Sequence, residues 1–200
     1  MNGLTAFVAL GFRHIVDLAA LDHILFLLAL AAIYRVRDWR DALWVVSAFT
    51  VGHSITLALA VTGALVLSAR LVEFLIPLTI VATCIENLVV RDRARTGRRG
   101  GYRPVFAAVF GLVHGAGFAS YLRSLFVDRI ALPLFGFNVG IELGQLVVLT
   151  LAAVALAVLD RLLVLPAARW GASVLRWRVV TVSAAVALIA ARWAVERSPF

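Results

Sequence analysis

Four histidines stand among hydrophobic residues: His14 and His23 in RHIVDLAALDHILF, with Asp17 and Asp22 between them, His53 in FTVGHSITL and His114 in FGLVHGAGFA. In a lipid-facing setting an ionisable side chain is costly, and such residues mark ion pathways, proton relays or bound ligands. Imidazole nitrogen with carboxylate oxygen suits divalent nickel, cobalt, zinc or iron, and the affinity order does not choose among them. A ligating imidazole needs an acceptor for its other ring nitrogen, which neighbouring carboxylates and amides can supply. Such binding displaces protons and depends on pH.

Spacing restricts how these residues meet. On one continuous helix His14 and Asp17 share a face while His23 points away. A break near Asp17, with Asp17 capping the helix that follows, would let them converge. His53 follows Gly52, precedes Ser54 and has Thr50 on its own face; glycines beside His114 admit a close partner. Alone, either histidine could be a packing residue bonded to a carbonyl. Farther on, Asn138, Glu142 and Gln145 fall at i, i+4 and i+7, a polar stripe that must turn inward in lipid; interhelical hydrogen bonding also accounts for the two amides. The expected metal ligands are therefore His14, Asp17, Asp22, His23, His53, His114 and Glu142, supported by Ser54, Asn138 and Gln145. Glu86 and Asn87, near an arginine-rich run, read as a pair at the membrane interface.

The elements that must position these groups are membrane helices. The chain has 200 residues, 63% of them hydrophobic, with mean hydropathy +1.00, above what a soluble domain carries. The expectation is an all-α polytopic transmembrane bundle, residues 1–200 forming a single integral membrane domain. About six spans, 19–34, 42–64, 71–90, 104–122, 131–159 and 176–195, follow a short apolar segment at 4–16. Pro77 interrupts the third span, and Pro133 with Gly136 can break the start of the fifth. Gly111, Gly115 and Gly117 favour close helix approach, and Trp177 and Trp193 frame the last span as an aromatic belt does.

All 19 basic residues are arginine, and the net charge is +8. Connections 35–41, 91–103 and 160–178 hold 3, 6 and 4 of them. The positive-inside rule places those connections in the cytoplasm and both termini outside, as in a bacterial-type inner membrane. Arginines so used leave no soluble basic face, which excludes nucleic acid as partner; the lipid bilayer is the expected one. The single Cys84 excludes a disulfide framework and a cysteine zinc site, and Met1 as the lone thioether argues against a Cu(I) pathway. Residues 1–12 lack the basic start and cleavage site of a removed signal peptide. There is no G-x-S-x-G elbow or phosphate-binding loop.

The blocks GFRHIVDLAALDHILFLLAL, AFTVGHSITLAL, VEFLIPLTI, FGLVHGAGFA and FNVGIELGQ, in this order over roughly residues 10–150, resemble the HupE/UreJ family of membrane proteins. That resemblance implies a nickel/cobalt permease or an accessory protein of the nickel enzymes hydrogenase and urease, with metalloenzyme maturation proteins as partners. It carries His14, Asp22, His23, His53 and His114 over as motif positions; seven residues separate His14 from Asp22 where the wider nickel/cobalt transporter signature has four. The leading expectation is a Ni²⁺ or Co²⁺ permease rather than an enzyme. The alternative is an intramembrane Zn²⁺-dependent hydrolase of a lipid or membrane-embedded substrate, using His14, Asp22, His23, His53, Ser54 and His114 around a metal-bound water. A third reading is a metal sensor or assembly factor.

Overall fold

The computed structural model describes residues 3–19, 21–89, 101–125, 130–169 and 173–200, without the side chains of 119–125 and 166–167. The described residues form helices α1 (Gly3–Val16), α2 (Asp22–Ala31), α3 (Trp39–Val61), α4 (Ala69–Val89), α5 (Tyr102–Leu125), α6 (Ala131–Arg169) and α7 (Val174–Glu196), with one 3₁₀ turn at Val36–Asp38 before α3. The arginine run at 91–99 lies outside them.

Segments Val36–Val61, Ala69–Val89, Ala131–Leu165 and Val174–Glu196 are long and apolar enough to cross a membrane. The expected first span is not one long helix. α2 has 10 residues, about 15 Å, and α1 has 14, about 21 Å, and each falls short of the ~30 Å hydrocarbon core. The chain breaks between them at 17–21, where Asp17 Oδ1 accepts from the Ala19 amide at 2.8 Å. Asp17 thus turns the chain but does not cap α2, whose N-cap position is Leu21. Elsewhere expected breaks are absent. α4 runs through Pro77, and Pro133 sits in the first turn of α6, where its missing N–H costs no helical bond. α3 stops at Gly63, whose φ of 79° admits the left-handed turn after a helix.

Glycines set the two tightest helix pairs. A Cβ at Gly52 would overlap the Ala108 carbonyl oxygen, and at Gly111 and Gly115 those of Phe49 and His53, so α3 and α5 touch backbone to backbone. α6 meets α1 in the same way: Gly136 lies against Leu4, Gly140 against Val8 and Gly144 against Ile15. Numbers rise together along this pair, so α1 runs parallel to α6. Among the described residues, Gly117 meets the side chains of Ile76 and Val72.

The far end of α2 is fastened by side chains from three other helices. Asn87 Nδ2 donates to Ala29 O at 2.8 Å, Arg103 Nη1 to Leu30 O at 3.5 Å, Arg178 Nε to Ala32 O at 3.0 Å and Arg178 Nη2 to Tyr34 O at 2.7 Å. Ala29 O and Leu30 O are carbonyls that a helix C-terminus leaves without partners, Ala32 O and Tyr34 O follow in the turn beyond it, and cations there also match the helix dipole. Each guanidinium has its own carboxylate: Arg103 Nε binds Glu86 Oε2 at 3.0 Å, and Arg178 Nη1 binds Asp160 Oδ2 at 2.7 Å. Arg103 is 1% exposed and also donates to Asn87 Oδ1. Arg103 and Arg178, expected as loop charges, are therefore interior anchors. Glu86 and Asn87 serve one of them rather than the membrane interface.

Candidate metal centre

The break between α1 and α2 places His14 in the last turn of one helix and His23 in the first turn of the next. Ring centroids are 4.6 Å apart for His14 and His23, 5.9 Å for His14 and His53 and 6.1 Å for His23 and His53. One ring nitrogen from each of the three lies within 4.8 Å of the others. His14 Nε2, His23 Nε2 and both nitrogens of His53 are buried without a hydrogen-bond partner. Buried polar groups ordinarily find partners, so this concentration of orphan ring nitrogens, donors and acceptors alike, marks a candidate ligand site. Three nitrogens on one ion at ~2.1 Å can be no more than about 4.2 Å apart. On a tetrahedral ion all three would be about 3.4 Å apart, so the trio would close by up to about an ångström and a half around one.

His114 lies beside them, 5.2 Å from His23 and 1% exposed. Thr79 Oγ1 donates to Ile76 O at 2.7 Å, so toward His114 Nε2, 3.0 Å away, it can only accept. Nε2 must then carry the proton. The lone pair falls on Nδ1, which has no partner. Thr79 thus holds His114 in the tautomer whose free nitrogen is a potential fourth ligand.

The carboxylates do not join this group. Asp17 is exposed at the break. Asp22, one residue before His23, has both oxygens within 3.2 and 3.3 Å of Arg197 Nη1. Glu142 is exposed. The buried face of α6 runs through Phe137, Ile141, Gly144 and Val148; at 100° per residue Glu142 lies about 130° from its middle and Gln145 about 70°. Gln145 accordingly turns inward, its Oε1 accepting from Thr50 Oγ1 at 2.9 Å, with Nε2 unpartnered. Asn138 leaves a buried Oδ1 unpartnered, and Ser54 donates to Thr50 O at 2.7 Å.

Aromatic layers close the cluster on two sides. Phe26, Phe49 and Phe110 each lie one turn from a histidine: Phe26 follows His23 on α2, Phe49 precedes His53 on α3, and Phe110 precedes His114 on α5. Phe26 is 4.8 Å from Phe49, 6.3 Å from Phe110 and 5.2 Å from His114. This layer separates the histidines from the end where Arg103 and Arg178 hold α2. At that end a cavity of about 750 Å³ is lined by Tyr34, Trp39, Leu146, Ala153, Asp160 and Arg178, among others. On the opposite side His14 lies 4.1 Å from Phe118, which stacks on Phe137 at 5.5 Å. Neither these layers nor Thr79 was among the expected site residues. The repeated Phe-x3-His at Phe49/His53 and Phe110/His114 was the available signal.

Apolar helices around a buried histidine cluster define a polytopic, all-helical membrane protein. The sequence profile described as HupE / UreJ protein matches residues 1–197. The chain belongs to the HupE/UreJ family. Comparison with curated proteins and with solved structures found no match.

Proposed function

We propose that this protein moves a divalent transition metal, Ni²⁺ or Co²⁺, across the membrane through the His14, His23 and His53 trio, with His114 Nδ1 as a fourth donor. The family is associated with metal transport, and the observation that carries the reading is the group of orphan imidazole nitrogens in apolar surroundings where two half-helices meet. Broken helices that end at a midplane site are a recurring device of transporters. α1 and α2 together make one broken traversal, and α3 to α7 supply five more. The parallel register of α1 on α6, with the arginine bias, supports both termini outside and the arginine-rich end in the cytoplasm.

On this reading the ion reaches the trio from the side of Asp17 and Asp22. It exchanges water for imidazole between the Phe118/Phe137 pair and the Phe26/Phe49/Phe110 layer, and leaves past that layer into the 750 Å³ cavity. Nothing specific favours the hydrolytic alternative: Ser54, its candidate hydroxyl, donates to Thr50 O at 2.7 Å. The test is nickel and cobalt accumulation in cells lacking their own uptake systems. Accumulation should rise with the wild-type protein and return to background for His23→Ala at equal membrane abundance. Equal accumulation by the two would overturn the proposal.

A further inference from the structure

Asp22 is the carboxylate nearest in sequence to the trio, immediately before His23, yet its charge is already matched. Arg197, just beyond α7, places Nη1 3.2 and 3.3 Å from its two oxygens. The contact joins residues 175 positions apart. It is not a deeply buried structural pair: the side chains are 31% exposed for Arg197 and 18% for Asp22. The guanidinium also lies 5.2 Å over the Trp193 ring, so on leaving Asp22 it has an aromatic face and water within reach. Arg103 and Arg178, by contrast, are bound to backbone carbonyls as well as carboxylates.

Three imidazoles carry no compensating negative charge for a dication, and charge of one sign in apolar surroundings is strongly disfavoured. Asp22, the anion nearest to the trio in sequence, is held by a resident cation that the incoming ion repels. We propose that Arg197 is an exchangeable counter-cation of the metal site. It occupies Asp22 while the histidines are free and swings off when a divalent ion binds, releasing the Asp22 carboxylate to balance that ion. This rests on the metal-binding reading above. Its consequence is that occupancy of the site is transmitted to the end of α7, and that Arg197 keeps the affinity low enough for release.

The experiment is Ni²⁺ titration by calorimetry of the purified full-length protein in lipid nanodiscs, for wild type, Arg197→Gln, Asp22→Asn and the double variant. Thermal unfolding of each verifies folding. Arg197→Gln should bind at least tenfold more tightly than wild type. Asp22→Asn, which removes the balancing carboxylate, should bind more weakly than wild type, and the double variant should lose the gain. Arg197→Lys, which keeps the charge, should bind as wild type does. Unchanged or weaker binding by Arg197→Gln would overturn the exchange role and leave a stability contact, as would a gain that survives in the double variant. Absence of Ni²⁺ binding by the wild type is a different result: it would overturn the proposed function, and this inference with it.

Discussion

Replacing Thr79 by valine removes one hydroxyl from the interior and nearly nothing else in shape. Thr79 Oγ1 accepts the His114 Nε2 proton at 3.0 Å while donating to Ile76 O at 2.7 Å. Without it a buried N–H has no acceptor, which costs about 1–3 kcal/mol. Nδ1 has no partner either, so the proton loses its preference for Nε2 and also populates Nδ1, the nitrogen proposed to bind metal. At ~1.4 kcal/mol per decade, the preference for the ligating tautomer falls by about 5- to 150-fold, and its population by about twofold. Losing an orienting partner typically costs about 10- to 100-fold in metal affinity, and most of the expected loss comes from that orientation. Calorimetric titration with Ni²⁺ should show Kd for Thr79→Val raised about 10- to 100-fold, with Thr79→Ser close to wild type because it retains the hydroxyl. ¹⁵N spectra of the metal-free protein should show the His114 proton on Nε2 in wild type and redistributed in Thr79→Val. A folded Thr79→Val protein with wild-type Kd refutes the role given to both residues.

Other perturbations test the frame that holds the cluster. At Gly115 a Cβ would stand 3.0 Å from His53 Cα and overlap its carbonyl oxygen, so Gly115→Ala should push α3 from α5, destabilise by about 1–3 kcal/mol and weaken Ni²⁺ binding; wild-type binding would show that His53 does not depend on this contact. Asn87→Leu strips the donor from Ala29 O and an acceptor from Arg103, and should cost about 1–3 kcal/mol in a denaturant or thermal unfolding assay. Phe49→Ala opens the layer between the histidines and the cavity and should speed release of preloaded ⁶³Ni from proteoliposomes; an unchanged rate would remove that layer from the path.

Much of the architecture follows from local composition. Hydropathy sums along the chain, so α3, α4, α6 and α7 stand out from their own residues. A chain of this hydropathy has little choice but to fold its histidines inward. The HupE/UreJ resemblance and the metal-compatible residue types were likewise legible from RHIVDLAALDHILF, FTVGHSITL and FGLVHGAGFA. So was the need for a break near Asp17, although the break leaves α2 capped by no side chain and only 10 residues long.

Tertiary structure alone decided which charges go where. Nothing local distinguishes Arg103 and Arg178, buried against α2's carbonyls, from the arginines of the loops. Asp22 finds its partner 175 residues away, and Glu142 loses its place in the cluster because the glycines of α6 dictate which face meets α1. Periodicity assigns a residue to a helix face. Which face is buried depends on the neighbouring helix, and which donor meets which acceptor depends on register between helices. Both are properties of packed elements rather than of any one of them. The sequence therefore determined the solvent, the helices and the four imidazoles; the packing determined that three of them converge, that Thr79 sets the fourth, and that Asp22 is in the keeping of an arginine.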